Sequence, residues 1–122
     1  MSRILLIDDD SALRFLFSDI LKEQGYSVEA ADNGKDGLQL FAQEKPDLVI
    51  TDIIMPDMDG IEVIMRLKRD YPDVKIIALS AGGTIDAKNY LKIAEGLGAE
   101  KVLTKPVEHK QLIETVRELI GE

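Results

Sequence analysis

The sequence predicts an α/β domain in which a five-stranded parallel sheet is covered by helices on both faces. Strand-like and helix-like segments alternate five times along 122 residues, a pattern of strand–helix–strand crossovers rather than of hairpins. The central run, residues 48–51, is Leu-Val-Ile-Thr with no polar alternation, as suits a strand buried on both faces. Right-handed crossovers then leave few topologies, and the strand order 2-1-3-4-5 is the one expected.

Each element has its own signal. Residues 3–7 form the first apolar run, stopped by Asp8, Asp9 and Asp10. A helix follows with Leu13, Leu16, Phe17, Ile20 and Leu21 at core spacing, Asp10 or Ser11 as N-cap and Gly25 as C′ residue. Residues 26–30 alternate apolar and polar and read as an edge strand. After the turn Asp32-Asn33-Gly34, a short helix runs to Lys45-Pro46 with Leu38 and either Phe41 or Ala42 inward. Gly37 weakens that helix, so close backbone packing is expected there. The central strand ends at Asp52, and a helix over about 60–69 puts Ile61, Ile64 and Leu67 on one face. Residues 74–79 form the fourth strand, ending in Ser80, and Gly82-Gly83-Thr84 make a loop. The next helix buries Ala87, Leu91 and Ala94 and stops near Leu97-Gly98. Residues 101–104 form the last strand, ending in Lys105-Pro106, before a helix with Leu112, Val116, Leu119 and Ile120 at core spacing. The whole is a flavodoxin-like arrangement in one domain spanning 1–122.

Composition narrows the function classes. With no Cys and one His, thiolate sites are excluded and zinc is disfavoured. A net charge of −8 argues against direct contact with nucleic acid. No run is long enough to span a membrane, and the first residues form no signal or transit peptide, so the cytoplasm is the expected location. No DNA-binding or enzymatic output segment follows the last helix, so the chain is expected either to signal by binding a partner or to be part of a longer protein.

The strand ends carry the chemistry. In an open parallel sheet they meet at the carboxyl edge, where ligands bind. That edge collects Asp8 and Asp9 from the first strand, Asp52 from the third, Ser80 from the fourth and Lys105 from the fifth. Taken singly, a Ser after a strand is a turn residue and a Lys before Pro a solvated charge; their placement at successive strand ends argues for a site. Clustered carboxylates need a cation to ionise together, and hard oxygen ligands favour Mg²⁺. Asp9 and Asp52 are expected to bind it directly and Asp8 through water. Asp52, alone at the centre of the sheet, is the candidate nucleophile for an aspartyl-phosphate, with Lys105 as point charge and Ser80 as hydrogen-bond donor to the phosphoryl group. His109 is expected in the exposed first turn of the last helix.

Residues 4–10, Asp52 with Met55-Pro56-Asp57-Met58-Asp59-Gly60, Leu79-Ser80-Ala81 and Thr104-Lys105-Pro106 together resemble the receiver domain of two-component response regulators. The resemblance implies that Asp52 takes a phosphoryl group from a sensor histidine kinase or a histidine phosphotransfer protein. It implies that the chain is a signalling switch, not an enzyme on other substrates, and catalyses only its own phosphorylation and dephosphorylation. It makes the main-chain carbonyl of Ile54 a further Mg²⁺ ligand and the bond before Pro106 cis. It also implies a downstream effector docking on the fourth helix, fifth strand and fifth helix, a surface that in the family often mediates homodimers. Two positions depart from the family pattern: Val102 stands where an aromatic switch residue is common, and Val107 where Phe is. The competing readings are a phosphorelay intermediate, a Mg²⁺-dependent phosphohydrolase with an Asp nucleophile, and a flavin-binding electron carrier. The last would need a phosphate-binding first loop, which Asp8-Asp9-Asp10 opposes.

Overall fold

The computed structural model describes residues 2–55, 58–81 and 85–121. The chain runs β1 (Arg3–Ile7), α1 (Ser11–Glu23), β2 (Ser27–Ala31), α2 (Gly34–Gln43), β3 (Leu48–Asp52), α3 (Gly60–Asp70), β4 (Ile76–Ala81), α4 (Ile85–Gly96), β5 (Lys101–Lys105) and α5 (His109–Ile120). All neighbouring strands are parallel, in the order β2-β1-β3-β4-β5. The expected Gly82-Gly83-Thr84 loop, Pro56 and Asp57 lie outside the described residues, as do the side chains of Ala87 and Leu91.

Strand side chains alternate between two faces, and each face builds its own core. Leu5, Ile7 and Val49 point to one side, where Phe41 of α2, Val63, Ile64 and Leu67 of α3 and Ala94 of α4 cover them. Ile4, Leu6, Leu48 and Ile50 point to the other, against Phe17, Ile20 and Leu21 of α1 and Leu112 and Val116 of α5. All five residues of β3 are buried, which explains its unbroken apolar run up to Asp52. Burying a Leu or Ile side chain contributes about 1.5–3 kcal/mol, so these two layers dominate stability.

The helix ends follow their local signals. Asp10 is the N-cap of α1, its Oδ1 accepting from the amides of Ala12 (3.0 Å) and Leu13 (3.2 Å). At the other end Gly25 (φ +95°) lets its own amide reach the Lys22 carbonyl (3.0 Å) and the Tyr26 amide reach that of Leu21 (3.2 Å). This satisfies carbonyls the helix would leave open. Gly37 is packed as tightly as expected: a Cβ there would run into Ile7 Cδ1 and lie 2.8 Å from Cγ1.

Some expectations shift. Leu16 is 45% exposed rather than core, because the buried stripe of Phe17, Ile20 and Leu21 is centred roughly a quarter-turn away from it. Of the pair Phe41 and Ala42, Phe41 is buried. Leu119 and Ile120 are half-buried at the C-terminal end of α5, while Thr115 joins Leu112 and Val116 inside. β2 begins one residue later than expected. β4 occupies 76–81, so Ser80 lies within the strand rather than after it.

Candidate functional site

The parallel register brings the predicted residues together. Ile7 pairs with Thr51, Asp52 with Leu79 and Ser80 with Thr104, so the carboxyl ends of β1, β3, β4 and β5 lie side by side. Carboxylate oxygens of Asp8, Asp9 and Asp52 all lie within 4.8 Å of one another. Lys105, the last residue of β5, places Nζ 3.1 Å from Asp8 Oδ2 and 3.3 Å from Asp52 Oδ2. The Lys105–Pro106 bond is cis.

Each carboxylate has a distinct environment. Asp8 is fully buried and held at every polar atom. Its amide donates to the Ala31 carbonyl (3.1 Å), and its Oδ1 accepts from the Asp10 amide (2.9 Å). Its Oδ2 accepts from Lys105, and its carbonyl accepts from Arg14 Nη1 (2.8 Å). Asp9 is exposed and faces solvent beside the pair. Asp52 is 6% exposed at the centre of the edge. Burial, reinforced by the negative charge of Asp8 and only partly offset by Lys105, pushes its pKa up to about 6. Burial alone would lower the Lys105 pKa; attraction to Asp52 and Asp8 outweighs it and raises the pKa above the usual lysine value, so the ammonium stays charged.

This arrangement fits a hard divalent cation. With all three carboxylates ionised against one ammonium, the cluster carries a formal excess of negative charge, two members of it buried. Such a set is costly without a further positive charge, and its donors are all oxygen. Asp10 and Asp59 are committed elsewhere: Asp10 caps α1, and Asp59 caps α3 by accepting from the Glu62 amide (3.0 Å). Ile54 follows β3 by two residues with a side chain 51% exposed at the surface. Ser80 is buried one register step beyond Leu79, the partner of Asp52. His109 opens α5 and is exposed. Grooves of about 600 and 790 Å³ exist elsewhere, one around Lys45, Tyr71 and Pro72 and one around Ile61, Met65 and Leu97; neither holds any of the clustered groups.

Residues 4–117 match the response regulator receiver domain. The chain belongs to the response-regulator receiver family. Response regulator MprA of Mycolicibacterium vanbaalenii is 37% identical over 120 residues, covering 97% of this chain, and the chain spans half the length of that relative. Protein PilH of Pseudomonas aeruginosa is 33% identical over 121 residues, covering 99% of both chains. The crystal structure of chemotaxis protein CheY4 of Vibrio cholerae is 28% identical with a TM-score of 0.88, covering 98% of this chain and 99% of that one. This receiver domain is a phosphorylation-activated switch module of response regulators, with an acidic cluster that fits a phosphoacceptor site. Receiver domains work with histidine kinases or phosphotransfer proteins and with effectors, and they bind Mg²⁺ at an acidic site. No described helix of this one is long and apolar enough to cross a membrane.

Three supporting contacts of the receiver site escape sequence reasoning. Thr51 Oγ1 donates to the Asp52 carbonyl (3.0 Å), inside the buried strand. Arg14 reaches back from α1 to Asp8. Gly60 packs on the end of β3 so closely that a Cβ would collide with the Asp52 carbonyl oxygen and lie 2.7 Å from Ile53 Cα. Only Gly60 carries a sequence signal: a glycine directly after the N-cap Asp59 has no reason in the helix itself.

Proposed function

We propose that Asp52 is the phosphoacceptor of a single receiver domain spanning 1–122. The observation that carries this reading is the ammonium of Lys105 poised 3.1 Å from Asp8 and 3.3 Å from Asp52, beside the exposed Asp9. The donor is a phosphohistidine of a sensor kinase or of a phosphotransfer protein. A carboxylate oxygen of Asp52 forms the new P–O bond as the P–N bond to the donor imidazole breaks, and the imidazole leaves with the bonding pair. Asp9, Asp52 and the Ile54 carbonyl would hold Mg²⁺, with Asp8 acting through water. Bound there, Mg²⁺ supplies charge neutralisation for the phosphoryl oxygens and the acidic residues.

The chain's own groups do the rest. Lys105 keeps Asp52 and Asp8 from repelling each other before reaction and pairs with a phosphoryl oxygen after it. Ser80 donates its hydroxyl to the same group. Since Ser80 belongs to the strand that leads into α4, that bond would couple the added charge to the surface formed by α4, β5 and α5. Val102 packs half-buried behind that surface, opposite Ala78 in β4, so the coupling runs through small aliphatic contacts instead of an aromatic rotamer. An effector protein, or a second copy of the chain, reads the change, and the cytoplasm is its place of action. The phosphohydrolase alternative needs a catalytic acid beyond Asp8 and Asp9, which this reading gives to the cation; Asp59 is spent as a helix cap.

Borohydride reduction of the acyl phosphate, followed by peptide mapping, tests the assignment. Treatment with acetyl phosphate and Mg²⁺ should convert residue 52 to homoserine. Conversion at Asp8 or Asp9 with Asp52 intact would move the acceptor.

A further inference from the structure

We infer that Arg14 is a positioning residue for cation binding and phosphoryl acceptance, acting through the peptide that joins Asp8 to Asp9. The inference rests on the reading of Asp8, Asp9 and Asp52 as the cation site. Arg14 lies in the second turn of α1, half-buried, and its Nη1 donates to the main-chain carbonyl of Asp8 at 2.8 Å. The ladders of β1 to β2 and to β3 both end at Ile7, so this carbonyl lies just past the sheet pairings.

Peptide planarity gives the contact its consequence. The Asp8 carbonyl and the Asp9 amide share one rigid plane, so the direction of the carbonyl fixes the direction in which the Asp9 Cα leaves. Lys105 and the Asp10 amide hold the Asp8 carboxylate, and Ala31 holds its amide. The Asp10 bond closes a turn across the plane that carries Asp9 but leaves its carbonyl unheld. The guanidinium of Arg14 holds that carbonyl directly, with a charge-assisted bond, and so it helps to aim an exposed carboxylate it does not itself contact. Partners that orient ligands from behind typically change metal affinity about 10–100-fold when removed.

Electrostatics alone predicts the opposite. Removing a positive charge from the neighbourhood of a cation site should tighten cation binding. The two accounts therefore differ in sign. The probe is Mn²⁺ alone, with free ion counted by electron paramagnetic resonance at low temperature on wild type, Arg14→Met and Arg14→Lys. Urea unfolding and circular dichroism verify that each variant is folded.

Positioning predicts Mn²⁺ affinity weakened about 10-fold in Arg14→Met and less in Arg14→Lys, which keeps a charged donor. Phosphorylation by acetyl phosphate should be slow in Arg14→Met at low Mg²⁺ and return to the wild-type rate at saturating Mg²⁺. Affinity that is unchanged or raised in Arg14→Met, or a rate that stays depressed at saturating Mg²⁺, overturns the inference while leaving the phosphoacceptor reading intact. Absence of Mn²⁺ binding in wild type overturns both. If Arg14→Met fails to fold, Arg14→Gln takes its place with the same expected sign.

Discussion

The two ends of the sheet treat charge in opposite ways. At the amino edge the side chains settle their charges locally. Glu100 pairs with Lys68 (2.6 Å) and accepts from the Ile76 amide (2.9 Å), while Lys68 also donates to the Val74 carbonyl (2.5 Å). Asp47 accepts from the Arg3 amide (2.8 Å), and Lys75 donates to the Leu119 carbonyl at the end of α5 (2.6 Å). At the carboxyl edge Asp8 and Asp52 share the ammonium of Lys105 with the Asp9 carboxylate beside them, and Asp52 is driven to a pKa of about 6. One edge closes the fold. The other keeps an excess of negative charge that a divalent cation can balance, and that balance is what lets an anionic phosphoryl group approach.

The contrast can be broken from either side. The largest effect is expected at Gly60, where an added methyl must displace the backbone of Asp52. Gly60→Ala should cost about 3 kcal/mol, the upper end for overpacking, and slow phosphorylation as well. Urea unfolding beside an acetyl phosphate rate separates the two losses; a fully stable and active variant would show that the strand end tolerates movement.

Next comes Asp52→Asn. The folded protein favours protonated Asp52, since its pKa of about 6 exceeds the ordinary 3.8. The resulting penalty is therefore absent below pH 3.8, grows between 3.8 and 6, and is full at pH 7. Without divalent cation, Asp52→Asn should be more stable than wild type at pH 7 by up to about 3 kcal/mol, and the gain should vanish near pH 4. A variant less stable than wild type at pH 7 would mean that the carboxylate is not strained.

At the amino edge the sign reverses. Glu100→Ala removes a charged acceptor for Lys68 and the Ile76 amide and should cost about 2 kcal/mol, with no change in the response to Mg²⁺. An altered Mg²⁺ response would join the two edges that the comparison separates. The smallest effect is that of the ion itself. Mg²⁺ at ten times its Kd should stabilise wild type by about 1.4 kcal/mol, and Asp9→Asn should lose most of that gain. Equal shifts in melting temperature for both proteins would remove Asp9 from the cation site.

What could be read from the sequence divides along a physical line. The strands were legible because residues such as Leu48 to Thr51 must be apolar on both faces, and a parallel sheet gathers whatever ends its strands. Asp8, Asp9, Asp52, Ser80 and Lys105 could therefore be assembled from four separated strand ends. Leu16 misled because a helix stripe fixes which residues are inside only once its partner's direction is known. The contacts of Arg14, Thr51 and Gly60 were hidden for a different reason. Each supports the site through backbone atoms of Asp8 or Asp52, and a backbone carbonyl leaves no mark in a sequence; only the glycine at position 60 hints at its contact.

The most direct test of the account is the intact mass of the protein after incubation with acetyl phosphate, with and without Mg²⁺, for wild type and Asp52→Asn. A single added phosphoryl group in wild type, dependent on Mg²⁺ and absent from the variant, is the predicted result. An adduct of the same size in Asp52→Asn, or none in wild type with Mg²⁺ present, would contradict the assignment of Asp52 as the group on which the carboxyl edge is built.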